Sequence, residues 1–200
     1  MEYLEERYGE EFEILTYRGM GYAYDYVNMT AHPKANPDKK HEFIIQGKKG
    51  KWGKLEYVDT YAMVKLTKDY EKHLDEVICK YYKEYKFYVE FYSEWLPDNL
   101  PPDIKFEDLK DLKANEDYPL PYLRLFIAPG ENCKFEYLEE FVRELSEQGF
   151  KCDGSVAYYE DQNVFDDLIG DWDSDVDTLS GDDDVRGFLI YGKNNFYMSE

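Results

Sequence analysis

Cysteine is scarce in this chain of 200 residues, which contains only Cys79, Cys133 and Cys152. None of them falls in a CxxC pair or in a spacing typical of metal ligands, so the sequence predicts free, buried thiols. No apolar run approaches the roughly 18 residues of a membrane-spanning helix. The N-terminus lacks the basic and apolar regions of a signal peptide. We therefore expect a cytoplasmic protein without disulfide bonds.

Signatures of catalysis and of bound cofactors are also missing. The sequence has no HExxH, no close histidine pair and no GxSxG, and Gly19-Met-Gly21 lacks the other glycines and the lysine of a phosphate-binding loop. Carboxylate pairs such as Glu139–Glu140 are those that any acidic surface offers. We predict no catalytic residues, no metal and no cofactor. An intracellular enzyme with a site assembled from dispersed residues is the alternative.

Positive charge is missing from one long segment near the C-terminus. Between Glu160 and Asp184 there are eleven carboxylates and no lysine or arginine, which accounts for −11 of the formal net charge of −20. Like charges at this density repel one another, so the segment should stay solvated until a cationic partner binds. The acidic balance argues against binding to nucleic acid or to an anionic membrane. Basic proteins and cations are the natural partners.

Aspartates alternate over 171–177, as they do at the start of a calcium-binding loop. An EF-hand loop beginning at Asp171 would need glycine at position 176 and glutamate at position 182, where this chain has Val176 and Asp182. Both departures matter, because the glycine makes the sharp turn and the longer glutamate closes the coordination shell. We expect no dedicated metal site, and a calcium-responsive module is a further alternative.

Aromatic residues make up 18% of the chain and supply enough apolar surface for a sizeable core. Some of them also interleave with the acidic segment. Rings of this kind can fill pockets on a partner while the carboxylates meet its lysines and arginines. The competing interpretation is a surface loop whose tryptophan docks on its own domain. The candidate partner-binding residues are Asp166, Asp167, Asp171, Trp172, Asp173, Asp175 and Asp177.

The hydrophobic pattern predicts an α+β fold, with antiparallel or mixed sheets packed against two main helices. Apolar residues recurring at spacings of three and four predict these helices over about 58–85 and 134–148. Alternating aromatic and polar residues predict strands around them. The first part of the longer helix, Tyr57 to Leu66, fits a strand equally well.

The length suits one domain or two small ones that share an interface. We expect one α+β domain over 1–200. The proline-containing stretch 96–102 is the best candidate for a subdomain boundary, which would divide the chain into 1–95 and 103–200. The oligomeric state does not follow from the sequence.

In its size, α+β pattern, acidic and aromatic surface and missing catalytic motif, the chain resembles the small acidic immunity proteins that neutralise bacterial toxin domains. The resemblance implies a non-catalytic inhibitor of a basic toxin domain, for example a nuclease whose cleft the carboxylates would occupy. The segments Tyr3–Glu13 and Ala31–Lys34 also resemble part of uncharacterised proteins of Gram-positive bacteria, and that likeness implies no function.

Overall fold

Alternating apolar and polar residues in the first third of the chain form a four-stranded antiparallel sheet in the computed structural model. The sheet consists of β1 (Phe12–Arg18), β2 (Tyr26–Pro33), β3 (Phe43–Lys49) and β4 (Leu55–Asp59). Each strand pairs with its neighbour in the sequence, so the order in the sheet is the order in the chain. The structure describes residues 1–19, 26–37, 41–50, 54–91, 100–110, 120–131, 135–168 and 184–199.

The chain divides into two compact units, Met1–Lys68 with Leu96–Lys105 and Asp69–Trp95 with Phe106–Glu200. Neither unit is one continuous stretch, because the two segments of each unit are separated in the sequence by a segment of the other unit. The single domain over 1–200 and the boundary at 96–102 stay predictions. Residues 96–99 of that stretch lie outside the described residues.

The first unit buries one face of its sheet against the helix α1 (Glu2–Tyr8). Gly9 ends this helix in the left-handed conformation, with φ 67°, which glycine adopts without a steric penalty. Aromatic rings meet edge to face in the core, as between Phe12 and Tyr61, whose centroids are 4.9 Å apart. The buried residues of this core are Leu4, Phe12, Val27, Met29, Ala31, Phe43, Ile45 and Tyr61.

The second unit contains a five-stranded sheet, again in chain order. Its strands are β5 (Tyr85–Glu90), β6 (Tyr122–Ile127), β7 (Cys152–Tyr158), β8 (Asp184–Gly192) and β9 (Asn195–Met198). All neighbours are antiparallel except β6 and β7, which are parallel because a helix returns the chain between them. One antiparallel and one mixed sheet confirm the predicted α+β class.

The longer of the two predicted helices is shorter than its apolar pattern suggested. Helix α2 covers Tyr61–Tyr81, so the predicted range 58–85 is wrong at both ends. Residues up to Asp59 pair with β3 as strand β4, and Tyr85 already opens β5. The strand interpretation of the stretch from Tyr57 is therefore correct for its first three residues.

The second predicted helix, α3, covers Phe135–Gln148 and confirms the prediction within one residue. Gly149 follows with φ 89°, and the amide of Phe150 donates to the carbonyl of Leu145, which closes the C-terminal turn. On one face of the five-stranded sheet, Phe141 of α3 contacts Phe188 of β8, with centroids 6.4 Å apart. In the described ranges, no helix is long and apolar enough to cross a membrane.

For the two described cysteines the prediction of free thiols is confirmed, whereas the prediction of burial is confirmed for Cys152 and wrong for Cys79. Cys79 is exposed and Cys152 is buried, and both are free. Burial raises the pKa of the Cys152 thiol to about 12, which makes it a poor nucleophile at neutral pH. Cys133 lies outside the described residues.

Candidate functional site

A short helix, α4 (Gln162–Asp167), begins directly after strand β7 and starts the acidic segment. The carboxylate of Asp161 accepts a hydrogen bond from the backbone N–H of Asn163 at 2.8 Å, which is the usual way an aspartate begins a helix. Phe165 is buried and Leu168 follows it into the same apolar cluster. The remaining buried members of this cluster are Tyr88, Phe126, Ala128, Ala157 and Tyr159.

The C-terminal end of α4 is held by one lysine. The ammonium of Lys86, on β5, donates to the carbonyl oxygens of Phe165 at 2.7 Å, Asp166 at 2.8 Å and Leu168 at 2.9 Å. It also lies 5.0 Å from the centre of the Phe165 ring. The last carbonyls of a helix have no partner within the helix, so a cation at this place satisfies them and opposes the helix dipole.

In the described part of the chain, Lys86 donates to backbone carbonyls and forms no ion pair with a carboxylate. Asp166 and Asp167 are exposed, and Asp166 accepts a hydrogen bond from the neutral amide of Gln162 at 2.9 Å. No lysine or arginine of the described part of the chain forms an ion pair with Glu160, Asp161, Asp166 or Asp167. The helix thus presents uncompensated carboxylates on a fixed frame.

The described flanks of the acidic segment meet at one end of β7. Asp161 follows the last residue of β7 by a short step, and Asp184 at the start of β8 is the register partner of Tyr158. Asp184 does form an ion pair, because its carboxylate accepts hydrogen bonds from Nε and Nη2 of Arg186. The acidic residues at both flanks of the segment therefore lie at the end of the sheet where β7 ends and β8 begins.

The structure brings together two of the seven predicted partner-binding residues, Asp166 and Asp167, on α4. The other five, Asp171, Trp172, Asp173, Asp175 and Asp177, lie outside the described residues. Sequence reasoning missed Lys86 and Gln162, although both shape the site. Strand alternation puts Lys86 on the same face as Tyr88, which is buried, but the sequence carries no signal for the contact of Lys86 with α4.

A second polar cluster lies in the first unit around the carboxylate of Asp59, which is inaccessible to solvent. It accepts hydroxyl hydrogen bonds from Tyr3 at 2.7 Å and Tyr8 at 2.6 Å, and one from the backbone N–H of Tyr61 at 3.0 Å. The guanidinium of Arg7 lies 3.6 Å away. Burial, with the hydrogen bond to Asp59, raises the pKa of Tyr3 to about 12. Asp59 thus joins α1, through Tyr3 and Tyr8, to the start of α2, through the backbone N–H of Tyr61.

His73, on α2, is packed within its own unit. The Nδ1 atom of His73 lies 2.8 Å from the carbonyl oxygen of Asp69, and Nε2 lies 3.3 Å from Oε1 of Glu107. Its ring stands 4.8 Å from that of Phe106. Within the described ranges, His, Cys, Asp and Glu side chains nowhere gather in a group of three that could hold a metal ion.

The comparisons with known proteins give a fold and no activity. No protein-family model and no curated protein matches the chain. One solved structure, of a DUF5037 family protein from Ruminococcus gnavus ATCC 29149, is similar with a TM-score of 0.57 and 21% identity. The likeness covers 98% of this chain and 91% of that one. At this identity it concerns the fold alone.

Proposed function

We propose that this protein is a non-catalytic inhibitor of the immunity type, which binds and neutralises a basic bacterial toxin domain. The proposed contact surface begins at α4 and continues into the acidic segment. The observation that supports it best is the exposure of Asp166 and Asp167 on a helix whose C-terminal end is held by Lys86 through backbone carbonyls.

Two physical effects favour such a surface over a flexible acidic tail. Concentrated negative charge accelerates the encounter with a positively charged cleft, because the electrostatic field steers the partner before contact. A helix that is already docked through Phe165 has less conformational freedom to lose on binding, so more of the contact energy appears as affinity. A nuclease cleft, shaped for phosphates, is a partner of the matching charge.

The test pairs the full chain with the basic toxin domain encoded beside its gene. We compare the chain with two variants: D166N with D167N, and a variant in which Asp171, Asp173, Asp175 and Asp177 are all asparagine. We expect the association rate to fall about tenfold or more in each, with a weaker dependence on salt, because steering is lost. Cells that express the toxin should grow less well with each variant, to the extent that the variant has lost affinity.

The matched control removes two exposed carboxylates elsewhere, with E136Q and E147Q on α3. These changes alter the net charge as much as D166N with D167N, so they should leave the association rate within about twofold. Unchanged binding after the aspartate substitutions would show that the contact surface lies elsewhere. Failure of the unaltered chain to bind or to restore growth would remove the proposed function.

A further inference from the structure

Strand β1 is an unpaired edge with an apolar surface. It pairs with β2 on one side, and no other described strand pairs with its second side. Three large apolar side chains on it are exposed: Ile14 at 38%, Leu15 at 43% and Tyr17 at 67%. No other described strand exposes three. Edge strands are usually protected from pairing, so an apolar edge indicates a strand that is covered by something.

A β-bulge places the two charges of β1 on the same face. Glu13 lies opposite His32 of β2, and Arg18 lies opposite Asn28. His32 and Asn28 are an even number of residues apart, so they share a face, and their cross-strand neighbours share it too. In a regular strand Glu13 and Arg18 would point to opposite faces. The register shift between Ile14 and Thr16 removes that difference.

The same bulge places two apolar residues together on the other face. Ile14 lies opposite Ala31 and Tyr17 opposite Met29, which again are an even number of residues apart. The centre of β1 lies between Leu15 and Thr16. Ile14 and Tyr17 flank these two residues, and the next residues outward are the acidic Glu13 towards the N-terminus and the basic Arg18 towards the C-terminus. A strand with this pattern is complementary to itself when it runs antiparallel.

We propose that β1 pairs with β1 of a second copy of this chain, so that two four-stranded sheets become one across a two-fold axis. The axis would stand perpendicular to the sheet between Leu15 and Thr16. In this register each Glu13 meets Arg18 of the second copy, and each Ile14 meets its Tyr17. Every contact occurs twice, as an isologous interface requires. Opposite charges and apolar pairs at directly opposed positions both stabilise antiparallel strands.

A second copy fits this edge better than an unrelated strand, because the charge order of β1 reverses across its own centre. The proposal concerns the first unit and does not depend on the proposed function, whose surface begins on α4 in the second unit. Pairing also gives the exposed ring of Tyr17 an apolar neighbour on its own face of the sheet.

Sedimentation of the full chain over a concentration series tests the proposal. We expect a monomer–dimer equilibrium. The variants E13K and R18E should each weaken dimerisation about tenfold or more, because two like-charge pairs replace two ion pairs. An equimolar mixture of E13K and R18E should recover the dimer, since Lys at position 13 then meets Glu at position 18 and Arg18 meets Glu13.

The variant Y17K should weaken the dimer by a similar factor, and I44K is its control. Ile44 is 46% exposed but lies on the inner strand β3, so I44K should leave the equilibrium unchanged. Circular dichroism checks that each variant is folded, and Y17S replaces any Y17K sample that is not. A chain that stays monomeric throughout the series, a dimer unaffected by Y17K, or a mixture that fails to recover would each overturn the proposal.

Discussion

The two units of this protein fix a short helix in opposite ways. In the first unit, α1 is joined to the start of α2 by a buried anion, Asp59, which accepts hydrogen bonds from two tyrosine hydroxyls. In the second, α4 is held by a cation, Lys86, which donates to three backbone carbonyls. Asp59 holds α1 near both of its ends and Lys86 holds α4 at its C-terminal end, and the two arrangements leave very different surfaces.

The difference lies in what each charge is balanced against. The carboxylate of Asp59 faces the guanidinium of Arg7, so the cluster encloses its own charge and offers nothing to a partner. The ammonium of Lys86 donates to backbone carbonyls and lies against an aromatic ring, and among the described residues it forms no ion pair with a carboxylate of α4. A lysine that holds the backbone thus leaves the acidic side chains available. The first cluster stabilises the fold, whereas the second leaves exposed carboxylates on α4, where we propose that a partner binds.

The substitution Asp59→Ala tests the first half of this comparison and has the largest expected effect. It removes the buried carboxylate paired with Arg7 and leaves the hydroxyls of Tyr3 and Tyr8 without their acceptor, so the unfolding free energy should fall by about 3–5 kcal/mol. Tyr3→Phe, which removes one hydrogen bond, should cost about 1 kcal/mol. Urea unfolding measures both. Equal losses for the two variants would contradict a shared role centred on Asp59.

The substitution Lys86→Met tests the second half. Methionine keeps much of the aliphatic chain and loses the ammonium, so three carbonyls lose a charged donor and stability should fall by about 1–3 kcal/mol. Hydrogen exchange should accelerate in α4 more than in α3. The control is Lys83→Met, an exposed lysine that precedes the same strand. If the two variants exchange alike, Lys86 does not hold α4.

A surface cluster gives the smallest effect and completes the series. Glu144 of α3 accepts hydrogen bonds from Lys80, Tyr81 and Gln148. Burial opposes ionisation, but hydrogen bonds from Lys80 and Tyr81 outweigh it and lower the pKa of Glu144. Its stabilisation is therefore present above the unfolded pKa, near 4.5, and is lost as pH falls through the lower folded value.

We expect Glu144→Gln to cost at most about 1 kcal/mol at neutral pH, since both partners are partly exposed and solvent screens them. The difference from the unaltered chain should vanish in acid, when Glu144 is protonated in both states. Urea midpoints along a descending pH series measure this, with Glu147→Gln on the same helix as control. A difference that grows towards acid pH would reverse the sign of the argument.

The core of the long helix was predictable from sequence, but its ends were not. Leu66, Tyr70, Leu74 and Val77, which recur at spacings of three and four, are buried. The same spacing continues in the sequence to Tyr81 and Tyr85 and extended the predicted helix, because tyrosine spacing alone does not distinguish buried rings from half-exposed ones. In the structure these two hydroxyls donate to carboxylates, Tyr81 to Glu144 and Tyr85 to Asp75. Their rings mark the rim of the core.

The candidate site was predictable only in its charges. The composition of 160–184 pointed to Asp166 and Asp167, since acidic side chains without basic neighbours can be recognised in the sequence alone. Lys86 could not be assigned in that way, because its contact with Phe165 joins residues that are 79 positions apart. Spacing rules describe neighbours on one helix or strand, and this contact depends on how β5 lies beside β6 and β7.

The meeting of Asp161 and Asp184 at one end of β7 has a consequence for evolution. Both flanks of the acidic stretch are fixed by the sheet, so a longer or shorter stretch between them needs no change in strand pairing. Loop closure also costs little, about 0.6 kcal/mol for each doubling of length. The pairing of β7 with β8 therefore sets no length for the chain between these flanks, while Phe165 and Leu168 must stay apolar to keep α4 in its cluster. The exposed charges of α4 are what a lineage could change to follow the partner that we propose.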